Sequence, residues 1–191
     1  MLIFLLFTSL SSAVAEESLM RAEVPSLWKH PMFDLRVGFM SVDELAPEQA
    51  PYMCGAVNPL SWLSVEACGN GAGVLHQKDI ADFAHFRLRA ETVKLTEGRV
   101  ETGLMAGVGF AEVQRSTDAP GFRFGGAESG QVEAAGPEVS MGVRMRVWTS
   151  NQVYMVVDAD AGLAHIPGAP EVMGARDAQV PFGALTIGMG L

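Results

Sequence analysis

Apolar and polar residues alternate with a period of two along six stretches of this chain, and that period constrains the fold more than any other feature. From Val100 the even positions read Val100, Thr102, Leu104, Ala106, Val108 and Phe110, against Glu101, Gly103, Met105, Gly107 and Gly109. Val139 to Val147 alternates in the same way with Glu138, Ser140, Gly142, Arg144, Arg146 and Trp148. Val153 to Leu163 alternates with Tyr154, Val156, Asp158, Asp160 and Gly162, and shorter runs begin at Phe33 and Phe86. Successive side chains of a strand point to opposite faces, so each run is a strand with one apolar and one polar face. Helical periodicity is nearly absent. Val42 to Ala50, with Ser41 as a cap and Pro47 in its middle, allows one short turn. Strands are predicted at 32–42, 83–95, 99–113, 137–148, 152–164 and 179–191. The connection 43–81 has room for a further hairpin, with Trp62 to Cys68 its better half. A hairpin there preserves strand direction, so eight strands are expected and six are the minimum.

Turn chemistry sets a first register. Paired residues of a hairpin share a face, which limits loop length. A three-residue loop, Thr96-Glu97-Gly98, sets Thr92 against Thr102, Ala90 against Leu104 and Leu88 against Ala106, with Gly98 in the left-handed region. The loop Thr149-Ser150-Asn151 does the same for the next hairpin and ends in Asn151, the next-best left-handed residue. Arg146 then faces Tyr154, Gly142 faces Asp158, and Arg144 lies diagonal to Asp158. Long polar connections at 43–81, 115–135 and 165–178 lie at the other end. Short turns at one end and long loops at the other describe an antiparallel up-and-down β-barrel.

Residues 1–15 read as a secretory signal, with an apolar run from Leu2 to Phe7 and the small-x-small site Ala13-Val14-Ala15, although no Lys or Arg precedes the run. Residues 16–30 form a lead segment and 31–191 the barrel domain. No later stretch has the ~18 consecutive apolar residues of a spanning helix. A net charge of −9 argues against a nucleic-acid partner, which calls for a clustered basic surface. In an oxidising compartment the pair Cys54 and Cys68 is expected to form a disulfide, placed in the first long connection and stabilising by roughly 3 kcal/mol. His76 alone does not complete a zinc site, so no metal is expected. No phosphate loop, HExxH, GxSxG or dinucleotide fingerprint is present, so no cofactor is expected either. His85 near Glu112 is the one arrangement that hints at catalysis, and no Ser stands beside it in this register, so no enzyme is expected. Asp158 and Asp160 read more simply as half of a charge network than as calcium ligands. Trp28, Trp62, Trp148 and Tyr154 suit either interfacial girdles or ordinary packing.

Alternation does not say which face is outside. A soluble lipocalin-like carrier holds its apolar face around a greasy ligand; a membrane barrel turns it to lipid. Two features favour lipid. The polar face mixes glycines with Arg, Asp and Glu, as a crowded lumen requires. Charged residues total 18%, below the ~25–35% of a soluble surface, with lysines only at 29, 78 and 94. The chain also ends inside a strand, with Leu185, Ile187, Met189 and Leu191 alternating with Thr186, Gly188 and Gly190. This ending resembles the closing strand of Gram-negative outer-membrane proteins, which usually finish in Phe where this one has Leu. By architecture, residues 31–191 resemble the small eight-stranded barrels of the OmpA transmembrane-domain and OmpW kind. The resemblance implies an outer-membrane location, recognition by the barrel-assembly machinery, contact with outer-membrane lipid, a monomer, and long loops that meet an unspecified partner outside the cell. The lumen is then expected to hold Asp34, Arg36, Arg87, Arg89, Glu91, Glu101, Glu138, Arg144, Arg146, Asp158 and Asp160 as a closed salt-bridge network without an open pore. A structural or interaction barrel is the leading functional reading, ahead of the soluble carrier and a lipid-modifying barrel enzyme.

Overall fold

A computed structural model describes residues 31–42, 51–70, 81–115, 123–125 and 130–191. The signal segment 1–15, the lead segment 16–30 with Trp28, His76, and the short turn expected beyond Val42 lie outside the described residues. Eight strands follow one another: β1 (Phe33–Val42), β2 (Tyr52–Leu60), β3 (Leu63–Gly69), β4 (Asp82–Glu97), β5 (Val100–Gln114), β6 (Glu133–Trp148), β7 (Tyr154–His165) and β8 (Gln179–Gly190). A short helix, α1 (Ala169–Met173), stands between the last two. Each strand pairs antiparallel with the next, and β8 returns to β1, so the sheet is a closed barrel with no free edge strand. At the seam the Met32 N–H donates to the Leu191 carbonyl (2.7 Å) and the Leu191 N–H to the Phe33 carbonyl (2.9 Å).

The connection 43–81 contains the extra hairpin. Its turn, Ser61-Trp62, has two residues, as the β4–β5 turn does, so Cys54 and Cys68 sit in the barrel wall and not in a long loop. They are direct cross-strand partners, bridged, with Cα atoms 4.1 Å apart. They remain at the end of the strands away from the tight turns, as expected. The pairing predicts an exported protein lighter by two hydrogens before reduction. Intact-mass spectrometry with and without reductant checks this, and two free thiols would contradict it.

Register differs from the expectation in a regular way. The barrel pairs Ala90 with Ala106 and Leu88 with Val108, two residues along from the anticipated partners. A two-residue shift keeps every side chain on its face, so alternation does not resolve it. The turn is not the three-residue loop either: Glu97 pairs with Val100 and leaves Gly98-Arg99 between them. A two-residue turn by itself puts the two faces out of step. A bulge between Glu91 and Val93 absorbs the extra residue and restores them. At the next hairpin the expected three-residue loop is a five-residue connection, 149–153: Trp148 pairs with Tyr154, which sets Arg144 directly opposite Asp158, and Asn151 is exposed in the connection. Gly98 has φ +59°, and a Cβ there meets nothing within 4 Å, so its substitution carries a purely conformational cost. Gly98→Val is expected to destabilise the barrel by ~1–2 kcal/mol in urea unfolding, and an unchanged midpoint would contradict that origin.

Side-chain direction decides the inside-outside question. Leu35, Val37, Phe39, Val108, Val139, Met141, Val143, Leu185, Ile187 and Met189 face outward and are exposed. Asp34, Arg36, Glu66, Arg87, Arg89, Arg144 and Asp158 face inward and are buried. The apolar-in arrangement of a soluble carrier is therefore absent from this barrel. Three layers fill the lumen. Trp148, Tyr154 and Val156 close the turn end, with the two rings 5.0 Å apart. Trp148 and Tyr154 are thus lumen residues rather than an outer girdle, whereas Trp62 at the turn end is exposed. Ionic groups occupy the middle. At the loop end Phe83, Val113, Val180, Phe182 and Ile166 form an apolar plug. Val172 and Met173 of α1 pack into this plug from the side of β5 and β6.

Candidate functional site

The middle layer is an ion-pair network whose members come from five strands, brought together because each lies at an inward position of its own strand. Glu66 of β3 is its hub. It accepts from Arg87 Nε (3.2 Å), Arg89 Nη1 (3.3 Å) and Arg144 Nη2, and Arg36 Nη2 adds an ion pair at 3.0 Å. Asp158 of β7 is a second hub, bound by Arg144 Nε (2.6 Å), Arg89 Nη1 (2.9 Å) and Arg36 Nη1 (3.1 Å). β3 and β7 are not neighbours in the sheet, so Arg36, Arg89 and Arg144 span the lumen between them. Asp34 accepts from Arg36 Nε (2.7 Å) and from the Tyr154 hydroxyl (3.3 Å), and Asp160 pairs with Arg87 and with Arg89 (3.5 Å). Ser64 accepts from Arg144 Nη1 (3.0 Å) and donates to Asn58 Oδ1 (2.5 Å).

A smaller cluster lies toward the turns. Arg146 pairs with Glu91 (3.0 Å) and Glu101 (3.8 Å), and Lys94 reaches Glu101 (2.9 Å). Glu138, expected among the arginine partners, pairs instead with His85 Nδ1 near the apolar plug. His85 is fully buried between the rings of Phe83 (4.6 Å) and Phe182 (4.4 Å). Its anticipated companion Glu112 belongs to the opposite, outward parity of β5, so that pair does not form.

Small residues make space for these large cations. A Cβ on Gly142 lies 2.8 Å from Arg89 Nη2, and one on Gly107 lies 3.0 Å from Arg89 Cγ. Crowding requires glycine at both positions, since the Ala159 carbonyl (2.5 Å) at Gly142 and Ser140 Oγ at Gly107 stand closer still. Buried charges are tolerable when paired in this manner, and an isolated one is not. Such a lumen ties five strands together; among the described residues no cluster is arranged to hold a metal ion.

The hub Glu66 is the residue that sequence reasoning passed over. Its signal was present in Ser64, Glu66 and Cys68 alternating with Leu63, Val65 and Ala67, but the strand is only seven residues long. Lys94, Ser64 and His85 also join lumen pairs not anticipated from the spacing.

A closed eight-stranded antiparallel barrel with an apolar exterior and a charged, packed interior defines the fold class. No protein-family model matches the chain, and no curated protein matches it. Among solved structures, Ail, the attachment invasion locus protein of Yersinia pestis, is similar over 85% of this chain and 98% of that one, with 12% identity and a TM-score of 0.37.

Proposed function

We propose that this protein is a monomeric outer-membrane barrel that carries no pore and acts through its long loops. The observation that carries the reading is the lumen: charged in the middle, sealed by Trp148 and Tyr154 at one end and by the α1 plug at the other. A barrel so filled serves as an anchor, and what varies is presented at its ends. The connections after β1, β3, β5 and β7 gather at one end, while the other end has tight turns. In this reading the loops face the cell exterior, lipid covers the belt, and the β8 ending is offered to the barrel-assembly machinery after export by the signal segment.

Two experiments test it. Reconstituted in a planar bilayer, the protein is expected to give no steady single-channel current, and large sustained currents would contradict the closed lumen. Trypsin added to intact cells is expected to cut at Arg115, Arg123 or Arg176 in the long connections and to spare Arg99 in the β4–β5 turn. Cleavage at Arg99 from outside would reverse the orientation.

A further inference from the structure

The Cys54–Cys68 bridge points into the lumen, and its position limits when it can be made. The two residues are 3% and 5% exposed. They pack with Tyr52 and with inward-facing Met40 and Ala184. On the flanking strands Arg36 stands opposite Cys54 and His85 stands opposite Cys68, so ionic groups lie to both sides. Toward the loop end Phe83 and Phe182 pack against His85, the cross-strand partner of Cys68. On the outer side the sulfurs lie behind the sheet backbone. Thiol–disulfide exchange requires a thiolate to reach a sulfur directly, and its rate depends on access. The interior of an eight-stranded barrel is just wide enough for side chains. Among the described residues the two cysteines of the closed barrel are almost wholly buried, so a redox protein meets them far less readily than in the open chain.

We infer that Cys54 and Cys68 are oxidised before the barrel closes, by a dithiol–disulfide oxidant of the exporting compartment, and that closure then seals the bridge from reductant. One thiolate attacks the oxidant's disulfide and forms a mixed disulfide. The second thiolate attacks that bond, completing Cys54–Cys68 and releasing the oxidant as a dithiol. Two electrons leave the chain with two protons, and the oxidant accepts them. The clamp thus joins β2 to β3, the two shortest strands at nine and seven residues, in the register Cys54 opposite Cys68 while the rest of the sheet is still open. A hairpin fixed in this way arrives at assembly with one register already chosen. The inference rests on the closed lumen and not on the loop role, so failure of either leaves the other standing.

The test uses the full barrel-forming chain folded into detergent micelles, with folding read from heat-dependent mobility on gels. Oxidised, folded protein is treated with a phosphine reductant and then a thiol-reactive polymer, beside a sample denatured in hot detergent. Labelling at least tenfold slower in the folded sample is expected, and equal rates would overturn the inference. In the second arm, chain reduced before folding is folded and then given oxidised glutathione. Thiols that stay free in the folded barrel, but oxidise when glutathione is added in urea, support the order, as does a reduced chain that cannot close at all. Bridge formation in the closed barrel at the rate seen in urea would overturn it.

Discussion

Replacing Glu66 with Leu is expected to destabilise the barrel by at least ~3–5 kcal/mol, the usual effect of removing one partner from a buried ion pair. The expectation is at the upper end because Glu66 receives four guanidinium groups, from Arg36, Arg87, Arg89 and Arg144. Without it these cations face one another in a medium of low polarity, with Asp34, Asp158 and Asp160 left to balance them. Urea unfolding in micelles measures the loss. Adding Arg144→Leu to Glu66→Leu is expected to recover part of it, because the second change removes one of the stranded charges. A Glu66→Leu barrel as stable as the parent would mean that water or ions enter the lumen freely.

Met141→Arg carries the second large effect and acts on the other face. Met141 points outward near the middle of β6, is 65% exposed, and has Val139 and Val143 on either side along the same face. An arginine on the lipid face of a barrel costs ~2–4 kcal/mol at the bilayer midplane. On a water-exposed surface the same change falls within about ±0.5 kcal/mol. Folding measured in lipid vesicles should therefore lose stability with Met141→Arg and keep it with Met141→Leu. A neutral Met141→Arg in vesicles would remove lipid from that face.

Most of the wall was legible because alternation reports faces directly. The runs from Phe33, Phe86, Val100, Val139, Val153 and Leu185 all became strands with apolar residues outward. The second strand was not legible: Tyr52 to Leu60 places Cys54, Ala56 and Asn58 on one face and Met53, Gly55 and Val57 on the other, with Pro59 near its end. Small residues on both faces leave no contrast to read. That gap also displaced the disulfide into an imagined loop, and the seven-residue length of β3 hid Glu66. Register was half legible, since a two-residue slip moves no side chain to the wrong face. The bulge beside Thr92 was outside what face-matching alone can find, because a longer turn repairs parity equally well. The apolar plug was the least visible part. It depends on Ile166 and α1, which follow β7 in a connection whose composition reads as an ordinary loop.

The central claim is that lipid, not water, covers the apolar face. Nitroxide labels placed singly through Met141→Cys and Val143→Cys, in protein reconstituted in vesicles, measure this directly by collision with two relaxants. The expected result is strong relaxation by membrane-dissolved oxygen and weak relaxation by a water-soluble nickel complex at both positions, with Asn151→Cys in the β6–β7 connection showing the reverse. Relaxation at 141 and 143 dominated by the nickel complex would contradict it.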